Sequence, residues 1–522
     1  LLLVGIDIGT TNIKGIVFNP DGTSIASVSR PTRTHYHGTE IADHHPEEIW
    51  VDVKDLIKEL VSQCPYPEKI GALSLASFGE AGLAVDAAGK PLAPSIAWFD
   101  HRSNQVVEEW KDQVDEYEVF RITGMRIGSM SSLAKILWEK KNLPDVYRRI
   151  KKWLFVPSYI ILKLTGEYRT DYSMATRSML FDITKKAWSE KMCRLADISI
   201  DLMPPAEPSG TLIGNIVPKA AAYLGLKRNV LVVLGGHDHL CGAFSAGLRQ
   251  KGDLVNSSGT TDTLCALIDP GRIDRRFYQA GVNCGCHVAA DQTYLLGGIF
   301  TAGRLIDWFA DNFFFAEGPD SREDLYRRLI EQAKASPAGS RGVVVFPHLR
   351  GCFTPHYDPI SKGAILGLRT THTRKDITRA VFEGLALEFR VVLSKFKELT
   401  GDHYPQIICI GGGSKNRFWT QLKADVTGRP MVINNIKENT SLGAAILAGL
   451  GAGIYRSADQ AFELLHRDHE VLRPDAANFE IYRQIYERLY SGLYEKLSGV
   501  NLDIERLLDV VGGGGETDSK IC

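Results

Sequence analysis

The chain has 522 residues, more than one hydrophobic core usually serves, so two large domains are expected. Its 61 Lys and Arg against 62 Asp and Glu give a formal net charge of -1, which argues against a nucleic-acid binder working through a broad basic face. No apolar run approaches the roughly 20 residues that span a bilayer, and the 9 cysteines, an odd number scattered from Cys64 to Cys522, suit free thiols in a reducing cytoplasm.

In chain order, Leu2–Ile8 is a short apolar run interrupted by Asp7 and ended by Gly9. With no basic leader or small-residue cleavage site it reads as a buried strand, not a signal. Residues 13–18 form a second strand, Asn19-Pro20-Asp21-Gly22 a turn, and residues 23–30 a third strand. Pro46 opens a helix that carries Trp50, Val53, Leu56, Ile57 and Leu60 at helical spacing. A strand over 70–76 and helices over 103–114 and 133–140 follow, then a strand over 230–234 that ends in Gly235-Gly236. Such alternation predicts α/β layers.

Half a chain after Gly9-Thr10-Thr11, the same three residues return as Gly259-Thr260-Thr261, again between two short apolar strands, 252–256 and 262–268. The shared setting predicts two related halves, 1–248 and 249–506. The second half continues with helix 301–312, strand 343–346, helix 376–399, strand 406–410 and helices 416–427 and 441–450. A long helix over 478–497 precedes a flexible tail, 507–522, which holds Gly512–Gly515.

Three glycine turns carry the chemistry. In Asp7-Ile8-Gly9-Thr10-Thr11-Asn12-Ile13-Lys14 a strand delivers a carboxylate to a turn followed by hydroxyls and an ammonium. Those groups suit a polyphosphate, with Asp7 holding Mg²⁺ through water; a plain hairpin with a surface lysine is the alternative. Gly411-Gly412-Gly413-Ser414-Lys415-Asn416 runs from a strand into a helix that carries Gln421 and Asp425, so helix amides would face a ligand, unless the glycines serve only tight packing. Gly235-Gly236-His237-Asp238-His239 sets Asp238 at the carboxyl end of a strand, where α/β ligands bind. Asp238 there can take a proton from a substrate hydroxyl, or merely cap the bend as an Asx-turn. His237 and His239 lack an obvious third metal ligand, and Cys284-Gly285-Cys286-His287 lacks zinc-type spacing. Gly79-Glu80 and Trp98-Phe99-Asp100-His101-Arg102 combine an aromatic ring with charged groups, which suits a polyol; a surface Asp100–Arg102 ion pair is the alternative.

These pieces in this order resemble the FGGY family of carbohydrate kinases, within the sugar kinase/actin/Hsp70 superfamily, over about residues 2 to 455. Met130-Ser131-Ser132-Leu133-Ala134-Lys135-Ile136-Leu137-Trp138 is similar to the family's first signature, departing at Glu139. Gly363 to Leu368 with Asp376, Ile377 and Ala380 to Glu383 is similar to the second. The resemblance implies an α/β fold of two ribonuclease-H-like (actin-like ATPase) domains flanking a nucleotide and sugar cleft. It implies transfer of the γ-phosphoryl of ATP, with Mg²⁺, to a terminal hydroxyl of a small ketose or polyol. By the same resemblance Asp238 is catalytic and a metal neighbour with Asp7. The ATP ligands would be Gly9, Thr10, Thr11, Asn12, Lys14, Gly259, Thr260, Thr261, Gly303, Gly411, Gly412, Gly413, Asn416 and Gln421. Glu80, Trp98, Asp100, Arg102, Asp238 and His239 fall near sugar-contacting positions. Gly79-Glu80-Ala81 departs from the Gln-Met-His run of xylulose kinases and matches only the glutamate of the Arg-Glu pair of glycerol kinases. A pentulose such as xylulose is the expected substrate, with erythritol or erythrulose, fuculose, gluconate and glycerol as alternatives. An actin- or Hsp70-like ATPase switch is the rival from another class. A cytoplasmic protein without nucleic-acid or membrane partners is expected, with a homodimer left open.

Overall fold

The computed structural model describes residues 1–38, 41–289, 291–314, 321–465 and 468–510. Two mixed sheets organise them. The first runs Leu212–Asn215, Leu231–His237, Ile70–Ser77, Leu2–Ile8, Asn12–Phe18, Ser24–Pro31. The second runs His469–Leu472, Met431–Asn434, Ile407–Ile410, Leu254–Ser258, Asp262–Ile268, Thr293–Ile299, Asn283–Cys286. Leu2–Ile8 pairs antiparallel with Asn12–Phe18 and parallel with Ile70–Ser77, itself parallel to Leu231–His237. Leu254–Ser258 repeats this with Asp262–Ile268, Ile407–Ile410 and Met431–Asn434. An antiparallel edge strand closes both sheets. The ribonuclease-H-like arrangement thus occurs twice, as in actin-like ATPases, and the two GTT turns occupy the same hairpin in each half.

The strand Leu2–Ile8 is apolar except at Asp7 because both of its faces are covered. Leu2, Val4, Ile6 and Ile8 join the core under the helix Pro46–Gln63. Leu3 faces the opposite way, toward a core shared by the two halves. That core is built around the helices Asp238–Ala246 and Asn439–Gly451, which pack on each other and on the first sheet. By strand alternation Asp7 points to the same side as Leu3. A carboxylate on an otherwise apolar strand therefore emerges between the halves.

Several elements differ from the sequence expectation, each for a physical reason. The strand expected over 230–234 runs on as Leu231–His237, with a register shift between Val233 and Gly236. Thr373 and Asp376 form a capping box, so the helix expected over 376–399 starts earlier and spans Arg374–Thr400. The helix expected over 478–497 is broken into Ala476–Arg488 and Leu493–Val510. Between them Tyr490 turns inward, where its hydroxyl donates to Glu388 Oε2 at 3.0 Å. Residues 507–510 continue that last helix rather than opening the tail; Gly512–Gly515 and the rest of the expected tail lie outside the described residues. No helix of the described residues is long and apolar enough to cross a membrane.

Candidate active site

The Leu231–His237 strand and the helix that follows it place Asp238 at the helix's first position. Its Oδ1 accepts from the adjacent His239 amide at 2.6 Å, one residue short of the amide that an Asx-turn uses. A chain of bonds sets this strand end: Asp171 accepts from the Ser173 hydroxyl, and Ser173 Oγ accepts from the His237 amide at 2.9 Å. The His237 ring lies 3.5 Å from the Asp238 carboxylate and stacks on His239. Burial pushes His237 down to about 3, so the ring is neutral at physiological pH.

Asp7 ends the neighbouring strand but one. Its Oδ1 is buried with no hydrogen-bond partner. Burial first, then the charge of Asp238, pushes Asp7 up to about 8, against a smaller opposing pull from Lys14. Two carboxylates that feel each other's charge, one holding an unpartnered oxygen, form a site that a divalent cation would neutralise. In the first GTT turn, Gly9 donates to the Asn12 carbonyl at 3.0 Å and leaves Thr11 and Asn12 exposed. The Thr10 hydroxyl accepts from Trp98 Nε1 at 3.0 Å, which ties the aromatic wall to the turn. Lys14 reaches across to Glu438 in the second half, with Nζ 3.0 Å from each carboxylate oxygen.

The expected polyol residues are linked to one another through neighbouring side chains. Gly79 is glycine because an added Cβ would sit 2.6 Å from the His237 ring. Next to it Glu80 adopts φ 61°, an unusual value for a non-glycine residue, and its carbonyl accepts from Ser132 Oγ at 2.6 Å. Arg177 clasps the Glu80 carboxylate with Nε and Nη2, while Nη1 reaches the Tyr294 hydroxyl of the second sheet at 3.2 Å. Asp100 is committed to the protein: its oxygens accept from the Ala42 amide at 2.6 Å and from Arg102. Burial raises its carboxyl, but those hydrogen bonds outweigh the effect and hold it below the usual range. Arg102 also donates to Asp43 at 2.8 Å. Behind them the fully buried Lys135 is pushed down to about 8 by burial, opposed by Glu80 and Asp100. His239 lies exposed at the rim.

A second group forms around the other GTT turn. Gly259 and Thr260 are exposed, and Gly303 donates to the Gly259 carbonyl at 3.1 Å. A Cβ on Gly303 would sit 2.5 Å from that oxygen, so only glycine admits the approach. Gly411, Gly412 and Gly413 pass over Ser258, with Gly412 open to space. Asn416 caps the next helix by accepting from the Trp419 amide at 3.1 Å. Gln421 on that helix donates to Asp425 and to the Arg473 carbonyl. Under the turn, Lys423 and Asp262 form a buried ion pair at 2.7 Å, with Asn256 bonded to both.

The two family models that match are the FGGY family of carbohydrate kinases, N-terminal domain, over residues 2–245, and the C-terminal domain over residues 254–452. The chain belongs to the FGGY family of carbohydrate kinases. A xylulose kinase of Bacillus subtilis is 28% identical over 500 residues, covering 96% of this chain and 98% of that protein. A gluconokinase of the same organism is 26% identical over 468 residues, covering 89% and 90%. The crystal structure of gluconate kinase from Lactobacillus acidophilus matches in fold, with TM-score 0.88, 24% identity and coverage of 96% and 99%. This chain is accordingly a carbohydrate kinase that acts on a small-molecule sugar.

Sequence reasoning missed several groups around this kinase's site: Arg177, Tyr294, Asp43, Asp171 and Glu438. None lies in a glycine turn or a motif. Only the contacts they make in the folded chain reveal them.

Proposed function

We propose that this kinase uses ATP and Mg²⁺ to phosphorylate the terminal hydroxyl of a neutral ketose, with xylulose as the first candidate. The single observation carrying the reading is the pair Asp7–Asp238, with the unpartnered Asp7 Oδ1 pointing between the halves. Asp7 and Asp238 would hold the cation, which when bound screens phosphate charge and draws the reacting groups together. Asp238 accepts the proton of the substrate hydroxyl, contributing through its position at the strand end. The turns Gly9–Asn12 and Gly259–Thr261 bind phosphate oxygens, and Gly303, Gly411–Gly413, Asn416 and Gln421 form the nucleoside side. Lys14 joins the phosphates once released from Glu438. We place the division between the halves near residue 248, just after the helix that Asp238 opens.

Glu80, Trp98, Arg102 and His239 orient the sugar, with Asp100 acting by fixing Arg102. The charge of this pocket favours a neutral substrate. Arg177 already faces Glu80, and Arg102 already faces Asp43 and Asp100. Lys135 is buried between the same carboxylates. Among these described residues every cation is already paired, so an aldonate carboxylate would gain little there and would meet Asp238. ADP release over a panel of pentuloses, hexuloses, gluconate, tetritols and glycerol tests this reading, with the phosphorylated carbon assigned by ³¹P–¹H correlation. Xylulose phosphorylated at its terminal carbon is the expected best product. Gluconate turned over faster than every ketose would refute the neutral-substrate reading, and ATP hydrolysis indifferent to every sugar would refute the kinase assignment of Asp238.

A further inference from the structure

We propose that His348, Cys352 and Glu388 form a binding site for a transition-metal ion of the zinc type, in the second half and apart from the Asp7–Asp238 pair. The three side chains are only 2%, 6% and 3% exposed. One ligand atom from each lies within 4.8 Å of the others. Tetrahedral zinc with bonds of about 2.0–2.3 Å sets its ligand atoms roughly 3.3–3.8 Å apart, so the side chains need move little to close on an ion. Imidazole, thiolate and carboxylate are all zinc donors, and three protein ligands leave a fourth position open.

The surroundings are those of a prepared site. His348 and Cys352 lie in the segment after the strand Val344–Phe346, and Glu388 in the middle of the helix Arg374–Thr400. Cys352 is fixed by two backbone bonds with Asp358, at 2.8 and 2.9 Å. His348 Nδ1 is hydrogen-bonded to Ser361 Oγ at 2.7 Å, which leaves Nε2 toward the cluster. That nitrogen stands 3.1 Å from Glu388 Oε1, yet it is not aligned with it and has no hydrogen-bond partner. Tyr490 holds the other Glu388 oxygen. Partners on the far side of the histidine and the carboxylate are what orient metal ligands elsewhere. A buried imidazole nitrogen crowded by a carboxylate oxygen and a thiol, and bonded to neither, is a poor core packing and a good ligand set.

The site has a path to the reaction. Gly298 and Phe300 line the same small gap, and the Thr301 hydroxyl donates to the Pro347 carbonyl at 2.9 Å, one residue before His348. Thr301 leads directly into Gly303, which backs the second GTT turn. A bound ion would pin this wall.

The test uses the full-length enzyme, stripped with a chelator and titrated with Co²⁺ alone. One equivalent is expected to produce a near-ultraviolet sulfur-to-cobalt charge-transfer band, lost in Cys352→Ser. X-ray absorption at the cobalt edge is expected to report one sulfur neighbour with nitrogen or oxygen neighbours, and this readout needs no variant that might fail to fold. No band in the wild type, a band retained by Cys352→Ser, or a cobalt shell free of sulfur would overturn the site. Mg²⁺-dependent turnover is measured in parallel, so failure here is separable from failure of the kinase reading.

Discussion

The carboxyl of Asp7 should make the ligand-free enzyme lose stability as pH rises, and Asp7→Asn should abolish that loss. Asp7 rises from 3.8 to about 8 on folding, chiefly through burial and secondly through Asp238. Between the unfolded value and about 8 the folded protein holds a proton that the unfolded chain has released. Stability therefore falls with rising pH across that window, by about 1.4 kcal/mol per unit, and levels off above it. From pH 5 to pH 8 the loss comes to about 4 kcal/mol, which for a half of this size is a difference in Tm of roughly 8 °C. The quantity to measure is the Tm of wild type minus that of Asp7→Asn at several pH values, since other titrating groups cancel in the difference. That difference should turn steadily against the wild type as pH rises, and saturating Mg²⁺ with ATP should shrink it by binding the folded state. A difference that stays flat from pH 5 to 8 would refute the placement of an unpaired carboxylate between the halves.

How much of this was legible in the sequence depended on whether a feature was local. The strand Leu2–Ile8, the turn at Gly9 and the helix opened by Pro46 followed from hydrophobic pattern and turn chemistry, because the residues that decide them are neighbours. The doubled fold was legible through one repeated tripeptide, since a glycine turn between two strands constrains backbone and ligand contact together. The sugar side was only half legible. Glu80 was visible as a charge after a strand, but its partner Arg177 comes from ninety-seven residues away, and nothing in the local pattern around Arg177 marks it. Asp100 was visible as a polar group near Trp98, read as a sugar ligand with an ion pair to Arg102 as the alternative. Its oxygens instead serve the Ala42 amide and Arg102, a use that depends on a strand far earlier in the chain. The break at Tyr490 was illegible for the same reason: the helical pattern continues through it, and only the buried acceptor Glu388 draws the tyrosine inward.

Asp238→Ala should lower kcat by roughly 10²–10⁴ with KM for ATP nearly unchanged; single-turnover phosphorylation at a near-normal rate would refute its role as proton acceptor. Glu438→Gln should free Lys14 from a half-exposed ion pair worth at most about 1 kcal/mol, lowering KM for ATP by up to about fivefold, and an increase in that KM would assign Glu438 to nucleotide or metal binding instead. The buried pair Glu80–Arg177 gives the sharpest contrast. Arg177→Met strands the buried Glu80 carboxylate without its partner, which typically costs about 3–5 kcal/mol, and it also cuts the link to Tyr294 across the two sheets. Adding Glu80→Gln removes the stranded charge, so the double variant should recover most of the lost Tm. If Glu80 orients the sugar as proposed, sugar affinity should not recover, because that carboxylate is gone and the clasp to the second half remains broken. KM for ATP should stay within a few-fold of wild type throughout, since the nucleotide turns lie elsewhere. If the double variant regains normal KM for the sugar along with its stability, Glu80 and Arg177 are a folding pair, and the sugar must be held by Trp98, Arg102 and His239 alone.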